Sequence, residues 1–186
     1  MKNRAYGFTL IEVLVVVAIA AVLISLAVPS FTTLLVKRSV QSAAVSLVDD
    51  FRYTRTEALR RSKRVSICSL AANSTSACSG DPAAWANGWM IFTDQEGVST
   101  GVYEPATETI IRVQQPPPNI ASIQRITSPS STLNVFNYQA NGWARAAAET
   151  LKFTPTSGAS SATERIVCIS NQGRARLLVE GATTCS

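Results

Sequence analysis

The stretch that decides the fold is residues 7–31, "GFTLIEVLVVVAIAAVLISLAVPSF", an apolar run with one charged residue, Glu12. From Phe8 to Val28 it provides about 31 Å of α-helix, which matches the hydrocarbon core of a bilayer. Lys2 and Arg4 precede the run, and positive charge keeps that end in the cytoplasm. No small-residue cleavage site of the secretory type follows the apolar core, so we expect a transmembrane helix.

Glu12 is the anomaly in this run. A carboxylate inside the hydrocarbon costs at least ~2.5–3.5 kcal/mol and therefore normally has a partner. One interpretation is a residue near the interface whose carboxylate reaches the headgroups. The other is a carboxylate that meets a positive charge created by processing of the chain.

The motif "GFTLIEV", with Gly7, Phe8 and Glu12, resembles the processing site of type IV pilins and type II secretion pseudopilins. The resemblance implies that prepilin peptidase cleaves between Gly7 and Phe8 and methylates the new N-terminal residue. Glu12 would then pair with the Phe8 ammonium of a neighbouring subunit during filament assembly. Such a pair removes two unmatched charges from an apolar environment at once.

Beyond the apolar run, Pro29 is expected to kink or locally melt the helix, and an amphipathic stretch follows it. A stripe of apolar residues at helical spacing predicts a face turned to a core. The stripe consists of Val40, Ala44, Leu47, Phe51 and Ala58. "LAVPSF", "NGWMIFTD" and a late Gly-Arg strand are similar to the FimT/FimU–GspH branch of minor pilins and pseudopilins.

From Arg64 onward the pattern changes to eight strand-like runs. Two Asn-Gly-Trp triplets, at 87–89 and 141–143, predict hairpins with type I′ turns. The expected fold is α+β and pilin-like, with a long N-terminal helix, transmembrane and then amphipathic, packed on an antiparallel sheet. The predicted organisation is a leader peptide at 1–7, a transmembrane helix at 8–28, its amphipathic continuation at 29–63 and a β-rich headgroup at 64–186.

Four cysteines and no histidine occur in the chain. This composition argues against a zinc site, and we expect neither metal nor cofactor. An even cysteine count behind an export segment indicates disulfides, of which three pairings are possible. The local pairs Cys68–Cys78 and Cys168–Cys185 are favoured over the others, and four buried free thiols are the alternative.

Catalytic motifs are missing from the sequence. Without histidine a Ser-His or Cys-His nucleophile is excluded, and no phosphate-binding or dinucleotide loop is present. The chain is therefore not expected to be an enzyme. Charge is distributed in blocks, with eight basic and three acidic residues at 37–64, five acids and no base at 65–111, and seven basic and two acidic at 112–176. These blocks predict a basic face and an acidic face.

The candidate binding feature is the tail hairpin "RIVCISNQGRARLLVE" at 165–180. Asn171, Gln172 and Gly173 form the predicted turn, and Arg174 and Arg176 project from one face of the following strand about 7 Å apart. Ala175, Leu177 and Val179 are expected to point to the core. Two neighbouring guanidinium groups can each bind a phosphate.

"GRAR" also matches the G-R-x-R motif of FimT-type pilins, which in some bacteria bind DNA during natural transformation. The resemblance implies phosphate contacts by Arg174 and Arg176 and a turn at Gly173. Other residues that could extend the patch are Asn171, Gln172, Arg145, Lys152 and Arg165. Arginines on an exposed strand also serve solubility or discourage edge pairing. The basic helix cluster "RYTRTEALRRSKR" is interpreted as a solvated face or subunit contact, with Glu57 paired to Arg60 or Arg61.

The sequence therefore predicts a minor type IV pilin that binds extracellular double-stranded DNA non-specifically. Its expected partners are other pilin subunits, prepilin peptidase, DNA and the inner membrane. Before assembly it would span the inner membrane once with its headgroup in the periplasm, and afterwards it would lie in an extracellular pilus. The alternative is a structural subunit, either a pilus-initiating minor pilin or a type II secretion pseudopilin, that acts through protein contacts.

Overall fold

The computed structural model describes residues 9–95, 102–126, 135–144, 148–156, 163–182 and 184–185, apart from the side chains of 26–30. The predicted processing residues Gly7 and Phe8, and also Arg145, lie outside the described residues. The chain forms two compact units, residues 1–35 and Val36–Ser186. Helix α1 (Leu10–Arg61) contributes to both.

The described part of the first unit is helical, and its large apolar side chains are exposed, among them Leu10, Ile11 and Val16. Among the described residues, no helix combines the length and hydropathy of a membrane-crossing segment. The described backbone stays helical through Pro29, so the predicted local melting there is wrong.

The second unit contains the remainder of α1. The predicted apolar stripe is confirmed, because Val40, Ala44, Leu47, Phe51 and Ala58 are completely buried. The helix ends in a Schellman motif, in which Lys63 N–H donates to the Ala58 carbonyl and Ser62 N–H to the Leu59 carbonyl, both at 3.3 Å. Ser62 has a φ of 50°, a left-handed conformation that glycine adopts more readily.

Eight strands follow the helix in the described residues, one for each strand-like run of the sequence. They are β1 (Val65–Ser69), β2 (Trp89–Thr93), β3 (Ile110–Gln114), β4 (Ile120–Arg125), β5 (Val135–Tyr138), β6 (Glu149–Pro155), β7 (Arg165–Ile169) and β8 (Ala175–Leu177). They form two four-stranded antiparallel sheets in the orders β3-β2-β1-β5 and β4-β6-β7-β8. The larger of two clusters of buried apolar residues collects members from the helix and both sheets, so the fold is α+β as predicted. All of its members belong to Val36–Ser186, and we therefore expect this unit to fold by itself.

The two Asn-Gly-Trp triplets have different structures. Residues Trp85–Asn87 form a 3₁₀ turn, and Gly88 joins it to β2, so the predicted hairpin at 87–89 is wrong. A Cβ atom at Gly88 would lie 2.2 Å from the Gln114 carbonyl oxygen, which shows that the glycine is needed for close backbone approach. The triplet at 141–143 does form a hairpin, but with a three-residue loop in which Gly142 alone has a positive φ, 76°. A type I′ turn requires positive φ at two residues.

Both local disulfides are present. Cys68 is bonded to Cys78 and Cys168 to Cys185, and no described cysteine is free. The first connects β1 to the loop before β2. The second connects β7 to the C-terminal tail, where the Thr150 hydroxyl lies 3.0 Å from the Cys185 sulfur.

Candidate functional site

The hairpin between β7 and β8 is the predicted binding feature, and its turn is closed by two backbone hydrogen bonds. Ser170 N–H donates to the Arg174 carbonyl at 3.0 Å, and Gly173 N–H donates to the Ser170 carbonyl at 2.8 Å. Gly173 has a φ of 74°. The turn therefore consists of Asn171, Gln172 and Gly173, as the sequence predicts, with glycine at the left-handed position that ends such loops.

Gly173 is also buried against its surroundings. A Cβ atom there would lie 2.5 Å from both the Cβ of Ala144 and the Cε1 of Tyr138. The Tyr138 hydroxyl donates a 2.7 Å hydrogen bond to the Gly173 carbonyl. Burial raises the pKa of this phenol, and the positive charge of Arg55 partly offsets the rise. Tyr138 therefore fixes the position of the residue that precedes Arg174.

Arg174 and Arg176 are both exposed, while Ala175 between them is buried. Arg176 lies opposite Cys168 in the β7–β8 ladder, so the disulfide anchors the strand beside it. Leu177 packs partly against the core as expected. Val179 is 82% exposed because the strand ends at Leu177, so its predicted core position is wrong.

The residues proposed to extend the patch are arranged differently from one another. Gln172 is exposed in the turn. The Asn171 carboxamide oxygen accepts a hydrogen bond from Ala148 N–H, which ties the turn to the start of β6. The Lys152 ammonium lies 2.9 Å from the Glu164 carboxylate, so its charge is partly neutralised.

Arg165 is not available at the surface, so its predicted place in the patch is wrong. Its residue is only 5% exposed, and its guanidinium donates to the Gln41 side chain at 2.6 Å and lies 3.1 Å from the Glu180 carboxylate. A phosphate contact would require breaking this link between β7, the helix and the tail. Sequence spacing could not reveal it, because Gln41 lies 124 positions away.

Arg55 is a basic residue that sequence reasoning placed in the helix cluster and not beside the hairpin. Its charge acts on the Tyr138 phenol, which in turn contacts Gly173. No sequence signal predicts this neighbourhood, since it arises from packing of α1 against β5. Arg64, the last residue of this cluster, is buried and paired with Asp94, so it is not part of a solvated face as predicted. The predicted pairing of Glu57 is confirmed: its carboxylate accepts hydrogen bonds from Arg60 at 2.8 and 3.0 Å and from Arg61 at 2.6 Å. These bonds lower the pKa of the Glu57 carboxyl to about 2.

The predicted acidic face is wrong for two members of the acidic block. Asp94 is buried and accepts hydrogen bonds from Ser66 and Asn137, besides its ion pair with Arg64. The Glu108 carboxylate is buried as well and accepts the backbone N–H groups of residues 95 and 104, each at 2.8 Å. These acids satisfy internal donors and contribute little to the surface charge.

Other acidic groups are also used in the interior. Asp50 is buried, and its carboxylate accepts the indole N–H of Trp89 at 2.7 Å while lying 2.9 Å from Arg112. Arg125 and Glu149 form a buried bidentate pair. Within the part of the chain that the structure describes, no group of three or more metal-ligating side chains could hold an ion.

Glu12 has partners of its own in the first unit. Its carboxylate accepts the backbone N–H of Thr9 at 2.8 Å and the Thr9 hydroxyl at 2.9 Å, and Glu12 N–H donates to that hydroxyl oxygen at 3.4 Å. This is a capping box, which satisfies free donors in the first turn of α1. The T-x-x-E spacing of residues 9–12 was a readable signal for it, and sequence reasoning missed it.

Comparisons with known proteins agree with this architecture. The family described as type II transport protein GspH matches residues 43–173, and the prokaryotic N-terminal methylation motif matches residues 2–28. A comparison with curated proteins finds no match.

Solved structures of a type IV minor pilin show the same fold. The type IV minor pilin FimU of Pseudomonas aeruginosa is 20% identical, with 76% of this chain and 90% of that chain covered and a TM-score of 0.55. A second crystal form of it gives 21% identity, coverage of 75% and 92%, and a TM-score of 0.50. The minor pseudopilin EpsH of Vibrio cholerae is 11% identical over 77% of this chain and 99% of that chain, with a TM-score of 0.49. Because the GspH model covers well over half of the sequence, the chain belongs to the FimT/FimU–GspH family of minor pilins and pseudopilins.

Proposed function

We propose that this family member is a minor type IV pilin whose headgroup binds extracellular DNA for uptake in natural transformation. The observation that carries the proposal is the pair of exposed arginines, Arg174 and Arg176, on the strand after the Gly173 turn. Their guanidinium groups would each bind a phosphate of the duplex. Binding would not depend on sequence, because phosphate contacts carry no base information.

The surroundings of the two arginines support a rigid site. The Ser170 hydroxyl accepts the Arg174 N–H at 3.1 Å, which adds a hydrogen bond across the turn. The Tyr138 hydroxyl binds the Gly173 carbonyl. Because these bonds fix the backbone at Gly173 and Arg174, the turn itself need not become ordered when the side chains bind a phosphate. Gln172 and the partly neutralised Lys152 are retained as peripheral contacts, as is Arg145 by sequence alone.

The N-terminal segment would deliver this headgroup to a filament. We propose cleavage after Gly7, methylation of Phe8, and a single inner-membrane span over residues 8–28 before assembly, with the headgroup in the periplasm. The methylation motif at residues 2–28 supports the processing step. In the filament, Glu12 would exchange its contacts with Thr9 for the Phe8 ammonium of a neighbouring subunit.

Replacement of both arginines tests the DNA function. The full chain in a non-ionic detergent would be titrated with labelled duplex DNA at two salt concentrations. Wild-type affinity should fall with rising salt, by about 0.9 log unit per decade for each phosphate neutralised. Arg174→Gln/Arg176→Gln is expected to abolish the gel shift. Unchanged circular dichroism would show that the fold is intact.

A matched control is Arg38→Gln, because Arg38 is an exposed arginine on the helix, remote from the hairpin in sequence. It removes the same charge as the single variant Arg174→Gln and should leave affinity within about twofold. Equal reductions in these two single variants would mean that net charge alone attracts DNA. Full affinity in the double variant would refute the role of the hairpin.

The second candidate is a structural subunit of a secretion filament, which the match to the GspH family favours. Its headgroup would contact other subunits or an exported protein. A headgroup that binds no DNA at low salt, in a chain encoded among secretion genes, would establish this candidate instead.

A further inference from the structure

The turn before Arg174 lies beside a second turn that has the same hydrogen-bond pattern. Gln139 N–H donates to the Trp143 carbonyl at 2.9 Å and Gly142 N–H to the Gln139 carbonyl at 2.8 Å, the same pattern that closes Ser170–Arg174. The two loops end in glycines with φ of 76° and 74°. Trp143 therefore occupies the position in its hairpin that Arg174 occupies in the other.

The two turns are in contact. The space at Gly173 is filled by Ala144 and by the Tyr138 ring, and both of these residues flank the 139–143 turn. Ala144 pairs with Tyr138 and is partly buried against the core, and Ala175 in the partner hairpin is a buried member of that core. Because side chains alternate along a strand, Trp143 and Arg174 both project away from this buried side.

Trp143 is 57% exposed, an unusual position for an indole. Beside it, the side chain of Leu59 packs 3.1 Å from the site of a Cβ on Gly142 and is itself 48% exposed. The helix residue Arg55 acts on Tyr138 beneath the two turns. The exposed indole thus lies in the turn that adjoins the turn before Arg174, and neither of these two turns contains an acidic residue.

An aromatic face combined with guanidinium groups is the chemistry that binds single-stranded nucleic acid. Phosphates are held by the cations, and an unpaired base stacks on the ring. A duplex hides its base faces inside the helix, so it cannot use the indole in this way. The exposed Arg174 and Arg176 on the adjoining hairpin favour this polyanion over an apolar protein partner.

We propose that Trp143 is a stacking platform for an unpaired base, and that the site prefers single-stranded DNA or frayed duplex ends over intact duplex. This inference rests on the proposed DNA function and specifies its substrate. Arg174 and Arg176 bind the phosphates of either form, and Trp143 distinguishes between them.

The test uses the full chain in non-ionic detergent, with labelled oligothymidine and a duplex of equal length. Trp143→Ala is expected to weaken oligothymidine binding about tenfold, as for removal of one stacked base, and to change duplex affinity less than about twofold. Trp143→Phe should retain most of the affinity, because it keeps an aromatic face. The control Tyr53→Ala removes another exposed aromatic, one that lies beneath Arg112 of the opposite edge strand β3.

Tryptophan fluorescence gives a second readout. Trp85 and Trp89 are buried, so Trp143 is the exposed fluorophore among the chain's three tryptophans. Oligothymidine should quench wild-type emission, and the quenching should disappear in Trp143→Phe while binding persists.

Each outcome decides a different question. Equal single-strand affinity in Trp143→Ala and wild type, with weaker binding by Arg174→Gln/Arg176→Gln, overturns the platform and leaves the DNA function in place. No binding of either DNA by wild type overturns the DNA function itself. Normal DNA binding by Trp143→Ala together with poor entry into filaments also overturns the platform and identifies a subunit contact.

Discussion

Substitution of Gly173 by alanine tests whether the hairpin is as closely packed as the structure indicates. A left-handed φ costs an L-residue about 1–2 kcal/mol, and the new methyl group would lie 2.5 Å from Ala144 and Tyr138. Overpacking of this kind adds about 1–3 kcal/mol. Alanine also reduces the conformational entropy of the unfolded chain, which offsets about 0.4–1 kcal/mol of this loss. We therefore expect the free energy of unfolding to fall by about 2–4 kcal/mol.

Gly181 provides the matched control. Its φ is 85°, close to that of Gly173, but nothing lies within 4 Å of a Cβ placed there. Gly181→Ala therefore measures the backbone cost alone, about 1 kcal/mol.

Urea unfolding of the unit Val36–Ser186, followed by circular dichroism, gives both values. With a slope of about 2 kcal/mol per molar urea, the midpoint should fall by about 1–2 M for Gly173→Ala. The same variant should bind DNA more weakly, because Arg174 moves with the turn. If Gly173→Ala and Gly181→Ala agree within about 0.5 kcal/mol, the reasoning from interatomic distances is refuted.

Three further changes have defined outcomes. Ser62→Gly should raise the free energy of unfolding by about 0.5–1 kcal/mol, because glycine adopts the left-handed conformation at the end of the helix without strain. Urea titration measures this change. A decrease in stability would contradict the Schellman assignment. Arg60 and Arg61 lower the Glu57 pKa from 4.5 to about 2. The ionised Glu57 carboxylate therefore stabilises the folded state fully above about pH 4.5, and this stabilisation is lost as the pH falls toward 2. Glu57→Gln should therefore cost about 1 kcal/mol at pH 7, discounted for the exposure of Arg60, and much less at pH 3; an equal cost at both pH values would exclude this origin. Glu12→Ala should leave membrane insertion intact but reduce incorporation into filaments, measured by the fraction of subunits in sheared pili; normal incorporation would show that the carboxylate is dispensable.

Much of the fold is readable from local pattern. The helical stripe from Val40 to Ala58 and the eight strand-like runs succeed because hydrophobic period reports directly on burial. The disulfides follow from proximity in sequence, since Cys68–Cys78 and Cys168–Cys185 close short loops. The turn type at 141–143 was missed because Asn-Gly permits both a two-residue loop and a longer one that ends in glycine.

The candidate site is predictable only in part. Gly173, Arg174 and Arg176 are contiguous, so their turn and alternation could be read from the sequence. Long-range contacts have no such signature: the pairing of Arg165 with Gln41 and the contact of Ala144 and Tyr138 with Gly173 depend on how distant strands pack. The acidic block misled for a related reason, because burial removes the carboxylates of Asp94 and Glu108 from the surface.

The hydrogen bonds between Glu12 and Thr9 limit the free energy that Glu12 could contribute to filament assembly. This carboxylate is already hydrogen-bonded within its own subunit, so the proposed pairing with a neighbour's amine would exchange one set of partners for another and leave the two Thr9 donors without an acceptor. Such an exchange would favour correct alignment yet add little net stability. Most of the attraction between neighbouring stems would then come from the exposed aliphatic side chains between Leu10 and Ile24.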